Sequence, residues 1–274
     1  MDRRTLLKGM IIGSAVAGAS PSISLAASSS KDNSEDVRDY LSKIKNYNKH
    51  FDDDIVLTGH QYKILVSTVK RLKRLQRTVG YANFSLLSFD SALKYARSYS
   101  RIGRFPKEEI DFLEEVFYTD ADDYGFFGEK VTTKLTEGIP NRDTIKVPHT
   151  GHYLFRGDSL RLYQKIRRDI GKSIVLTSGV RGVVKQMHLF LSKAIRSDGN
   201  LSMASRSLAP PGHSFHGRGD FDVGKVGYGY RNFRSDFAET REFKRLEELG
   251  YIRIRYHEKN PFGVRFEPWH IKVS

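Results

Sequence analysis

The chain has 274 residues, 39% hydrophobic and 12% aromatic, which is enough apolar material to bury a core and excludes a wholly disordered protein. Its 46 Lys and Arg exceed 32 Asp and Glu by a formal charge of +14, which favours polyanionic surroundings such as nucleic acid or an anionic cell wall. The absence of Cys excludes disulfides, thiolate metal sites and cysteine nucleophiles, so a metal site must draw on Asp, Glu and the nine His.

Residues 1–27 read as an export signal: Arg3 and Arg4 precede Thr5-Leu6-Leu7-Lys8, then come a weakly apolar stretch from Met10 to Ala17 and a small-residue region ending at Ala26-Ala27. The paired arginines resemble the twin-arginine type, which implies a protein exported to the periplasm or another extracytoplasmic space. No later stretch reaches the roughly 20 apolar residues that span a bilayer, and no Cys offers a lipidation site after the signal, so no membrane anchor is expected in the mature chain. An exported protein also does not meet nucleic acid as its partner.

A polar, Ser-rich linker at about 28–36 leads into helical periodicity. Tyr62, Leu65, Val66, Val69, Leu72, Leu75 and Val79 mark one buried face, and Lys70, Arg71, Lys73, Arg74 and Arg77 mark a solvated one. A second helix is predicted from Pro106 to Tyr118, with Glu108 and Glu109 in its first turn. Asp120, Asp122 and Asp123 before Gly125 suggest a polar turn rather than a calcium loop, because Val131 stands where a closing Glu is required. Residues 28–150 are thus expected to form a mainly helical N-terminal region.

The texture changes from residue 151. A helix at Ser159–Asp169, a buried strand at Ser173–Thr177 and a helix at Gly182–Arg196 are predicted. Beyond them a strand is predicted at Asp220–Val223, a helix at Ser235–Leu249, and strands at Tyr251–Tyr256 and Val264–Val273. Helices and strands mix without βαβ alternation, so the fold class is α+β with a small, largely antiparallel sheet at 151–274.

Two stretches carry chemistry. In the first, His213-Ser214-Phe215-His216-Gly217-Arg218-Gly219-Asp220-Phe221-Asp222, the glycines allow a tight turn, and the following strand puts Asp220 and Asp222 on one face with Phe221 on the other. In the second, Glu267-Pro268-Trp269-His270, residues three apart would face opposite sides of a regular strand, so Glu267 and His270 share a site only if Pro268 interrupts it. Two His and one carboxylate leave a fourth tetrahedral position open, as in catalytic zinc sites, and a neighbouring Glu can take a proton from water.

These stretches, together with Ser178-Gly179-Val180-Arg181 and Gln186, resemble the ordered motifs of the VanY-like D-alanyl-D-alanine carboxypeptidases of the M15 metallopeptidase family. The resemblance covers about residues 150–274 and implies a hedgehog/DD-peptidase-like zinc domain acting on peptidoglycan stem peptides. It implies zinc held by His216, Asp222 and His270, Glu267 as general base and Arg181 as oxyanion stabiliser, with Ser214 and Gln186 binding substrate. Family members usually carry the aspartate seven residues after the histidine, where this chain has Val223. Asp222 is preferred because Val223 and Gly224 follow it as in the family, and Asp220 is the alternative. A peptidoglycan endopeptidase of the same mechanism and a non-catalytic wall-binding module are the competing functions. The module is disfavoured because the base, Glu267, is present.

Overall fold

A computed structural model describes residues 32–252 and 254–273, and the export signal expected at 1–27 lies outside them. The N-terminal part is helical: α1 (Asp32–Lys45), α2 (Gly59–Val79), the short α3 (Tyr81–Phe84), α4 (Phe89–Ser98) and α5 (Lys107–Tyr118). A hairpin of β1 (Thr144–Val147) and β2 (His152–Phe155) follows, then α6 (Asp158–Ile170), β3 (Ile174–Ser178), α7 (Val183–Arg196) and the short α8 (Leu201–Ser205). The chain closes with β4 (Phe221–Lys225), α9 (Arg241–Glu248) and β5 (His270–Ile271). No described helix is long and apolar enough to cross a membrane.

The mixed α+β class read from the sequence is the observed one, with antiparallel pairing throughout. β1 pairs with β2, and β3, β4 and β5 form a sheet in that order. Two core clusters support it. On one side Phe221 and Val223 of β4, Leu176 of β3 and Ile271 of β5 pack with Ile166 of α6, Leu246 of α9 and Trp269. On the other, Leu65, Leu72 and Leu75 of α2 and Leu113 and Phe117 of α5 share a core with Val184, Met187, Phe190 and Leu191 of α7. A helix of the C-terminal half therefore closes the core of the N-terminal helices.

Several predicted elements change where local bonds compete. Arg71, expected on the solvated face of α2, turns inward, because buried Glu109 on α5 needs a cation and takes its Nε at 2.6 Å. The helix predicted over Ser235–Leu249 starts only at Arg241, where the Thr240 hydroxyl accepts the Phe243 N–H at 3.2 Å; Ser235–Glu239 is a 3₁₀ turn. Of the strand predicted at Val264–Val273 only His270–Ile271 pairs. Pro268 contributes no N–H, the Arg265 N–H goes to the Arg206 carbonyl, and the Glu267 N–H goes to the Tyr256 carbonyl. The strand predicted at Tyr251–Tyr256 reduces to one bridge, Ile254 to Ile271.

Candidate metal centre

β4 and β5 set the geometry. Side chains alternate along β4, so Phe221 and Val223 enter the core while Asp222 emerges on the opposite face. Asp222 lies directly across from His270 in the antiparallel register. His216 arrives from the 3₁₀ turn Phe215–Gly217, which the loop after β3 holds: the Arg181 N–H binds the His216 carbonyl, and His216 Nδ1 donates to the Gly179 carbonyl at 2.8 Å. Gly179 makes this possible. The Val180 N–H reaches the Tyr153 carbonyl at 2.8 Å, and a Cβ on Gly179 would lie 1.9 Å from that same oxygen.

One ligand atom each from His216, Asp222 and His270 falls within 4.8 Å of the others, and all three residues are buried. Asp222 Oδ1 stands 3.2 Å from His216 Nε2 and 3.3 Å from His270 Nδ1, yet it has no hydrogen-bond partner among the described residues. An orphaned buried carboxylate oxygen facing two imidazole nitrogens fits a cation at that point. The distal nitrogens are engaged: His216 Nδ1 by a carbonyl, and His270 Nε2 by Asp220 Oδ2 at 3.0 Å. That pattern fixes each ring with its free nitrogen toward the centre.

The electrostatics agree. Burial and the nearby Arg181 hold His216 below its usual range, so it is a neutral donor. Burial would raise Asp222, but the His216 ring facing it and the Arg181 guanidinium outweigh burial and hold the carboxyl well below the usual carboxylate range. Burial likewise opposes charge on His270, yet its hydrogen bond to Asp220 and the adjacent Asp222 carboxylate push it up to about 9. The cluster therefore favours a positive charge among its donors. Glu267, by contrast, is raised to about 7, chiefly by burial, and its Oε2 lies 3.9 Å from His270 Nδ1. A turn in which the His270 N–H binds the Glu267 carbonyl at 3.1 Å brings these two to one side, the interruption expected at Pro268.

Arg181 donates through Nη2 to Asp222 Oδ2 at 2.6 Å and through Nε to Ser178 Oγ at 2.9 Å. It lines a narrow cavity with Gln186, Ser214, His216, Glu267 and His270. Gln186 Nε2 is held by the Ala209 carbonyl at 2.5 Å, while its Oε1 has no partner among the described residues. Asp220 sits outside the donor cluster, bonded to His270, to Arg255 Nε at 2.8 Å and to the Val273 N–H at 2.9 Å.

The sequence did not signal two neighbours. Tyr256 lines the same cavity, packs edge-on to His270 at 5.0 Å and has its phenol pushed up by burial. Arg255 stacks on Phe215 at 3.3 Å from the ring centroid. Both come from a segment with no motif, so only the fold reveals them.

The family model described as VanY, D-alanyl-D-alanine carboxypeptidase, matches residues 158–273, and that span contains all three donors and Glu267. Residues 158–273, less than half of the chain, are thus similar to the VanY family. The VanY family is one of zinc-dependent hydrolases, and the protein is accordingly a metallopeptidase. Among solved structures, a mutant of the vancomycin-resistance D,D-pentapeptidase VanY from a VanB-type resistance cassette, in complex with Zn(II), is similar at 24% identity and a TM-score of 0.39. The match covers 49% of this chain and 82% of that one. No curated protein matches the sequence.

Proposed function

We propose that the protein is a D-alanyl-D-alanine carboxypeptidase that trims peptidoglycan stem peptides outside the cytoplasm, exported by the twin-arginine-type signal at 1–27. In this reading residues 151–274 carry the chemistry and 28–150 support them. The observation that carries it is a buried Glu267 opening on the same cavity as His216 and His270, two of the three clustered donors.

These three residues would hold zinc, whose Lewis acidity activates both a peptide carbonyl and water. Glu267 accepts the proton of the attacking water and returns it to the leaving amine. Its raised pKa suits both transfers near neutrality. Arg181 offers a fixed cation for charge developing on the substrate oxygen. Gln186 presents an unpaired acceptor oxygen to a substrate N–H, and Ser214 adds a hydroxyl on the same wall.

The test is D-alanine release from a stem pentapeptide by the zinc-loaded protein beside Glu267→Ala. The expected loss is on the order of a hundredfold or more in the variant. Cleavage of cross-linked dimers without D-alanine release would turn the assignment to an endopeptidase. Inactivity on both substrates with zinc bound would reject a peptidase acting on stem peptides.

A further inference from the structure

We propose that α1 and the segment after it form a clamp that positions the turn bearing Glu267, with Tyr40, Tyr47 and Asp54 as its positioning residues. The proposal rests on the reading of Glu267 as general base.

Three contacts from outside the matched family span converge on residues 260–267. The Tyr40 hydroxyl on α1 donates to the Asn260 carbonyl at 2.6 Å and accepts the Gly263 N–H at 2.7 Å, bridging both ends of a tight loop. Gly263 has φ +80° and a Cβ there would meet the Gly125 carbonyl oxygen, so the loop is also pressed from its other side. The Tyr47 hydroxyl accepts from Arg265 Nη1 at 3.3 Å, and the Arg265 guanidinium lies 4.9 Å from the Tyr47 ring and 4.8 Å from the Trp269 ring. Arg265 thereby couples the segment after α1 to Trp269 in the Glu267–His270 turn.

The third contact runs through a buried ion pair. Both oxygens of Asp54 are held by Arg206, at 2.6 and 2.9 Å, and Asn200 Nδ2 adds a bond at 2.7 Å. The Arg206 carbonyl accepts the Arg265 N–H at 2.9 Å, two residues before Glu267. Leu208 and Ala209, just beyond Arg206, line the cavity itself. The 260–269 stretch has almost no strand pairing of its own, so these bonds, rather than a sheet ladder, define where the Glu267 carboxylate stands.

A general base displaced by about 1 Å loses rate without necessarily losing substrate affinity. The experiment compares the full zinc-loaded chain with Tyr40→Phe/Tyr47→Phe, which deletes two hydroxyls and keeps both rings, and with Asp54→Asn. The measurements are kcat and KM for D-alanine release, zinc stoichiometry, and acrylamide quenching of Trp269, the single tryptophan of the chain. The expected result for the double variant is a kcat lower by about tenfold or more, with KM and zinc content held and Trp269 more open to quencher. A folded double variant with unchanged kcat and unchanged quenching overturns the proposal, whether or not Asp54→Asn folds. If the wild type releases no D-alanine, the carboxypeptidase reading fails by itself. Trp269 quenching then decides the clamp alone: an increase upholds it, and no change overturns it.

Discussion

Asp220 and Asp222 stand two residues apart on one face, and their surroundings give them different work. Asp222 faces both imidazoles with an unpaired oxygen, whereas Asp220 fixes the far nitrogen of His270. Asp222→Asn should therefore remove stoichiometric zinc, while Asp220→Asn should leave a folded protein whose zinc affinity is about 10- to 100-fold weaker in chelator competition. Equal losses in the two variants would contradict the distinction. His188 sets a second residue-scale expectation. It packs edge-on to Phe84 at 5.7 Å, and burial followed by the nearby Lys185 and Lys73 lowers its pKa to about 4. A folded-state value below the ordinary one favours the neutral ring, so its contribution is complete above about pH 6.5 and is lost as pH falls toward about 4. His188→Gln should flatten the fall in thermal midpoint between pH 7 and pH 4.5, by the equivalent of about 1–2 kcal/mol.

At the scale of elements, the approach of β2 to the loop after β3 depends on Gly179. Gly179→Ala forces a Cβ against the Tyr153 carbonyl and displaces the carbonyl that orients His216, so a loss of about 3 kcal/mol or more in denaturant titration is expected. The elements that were legible in the sequence are those whose signal is local: the periodic α2, the buried β3, and β4 with its alternating aspartates. The turn at Pro268 was legible too, because a residue without an N–H cannot continue a ladder. The helix at Arg241–Glu248 was legible in part, but the course of the chain from Tyr251 to Glu267 was not. There backbone donors are claimed by partners distant in sequence, Arg206 for Arg265 and Tyr256 for Glu267, and no window of neighbours encodes that competition. The donor trio was visible as a motif, whereas Tyr256, Arg255 and the supporting role of Asp220 required the fold.

At the scale of the whole molecule, the buried face of α7 ties the family domain to the helices before it. Val183, Val184, Met187, Phe190, Leu191 and Ala194 all lie in the core built by α2, α4 and α5. At about 1.5–3 kcal/mol for each large side chain, exposing that face costs on the order of 10 kcal/mol, comparable to the entire stability of a domain. A fragment of residues 151–274 should therefore lack a cooperative thermal transition and bind hydrophobic dyes. A sharp transition near that of the intact chain would refute this.

The cross-strand pairing of Asp222 with His270 has one more consequence. Two of the three donors meet only when β5 joins β4 in the observed register, since a slip of one residue would turn His270 to the opposite face. An ion captured by this cluster would bind the correctly assembled sheet and ignore misaligned forms, adding stability to that state alone. Metal acquisition would thus serve as proofreading of the fold: a chain able to hold its ion has already passed inspection of its own last strand.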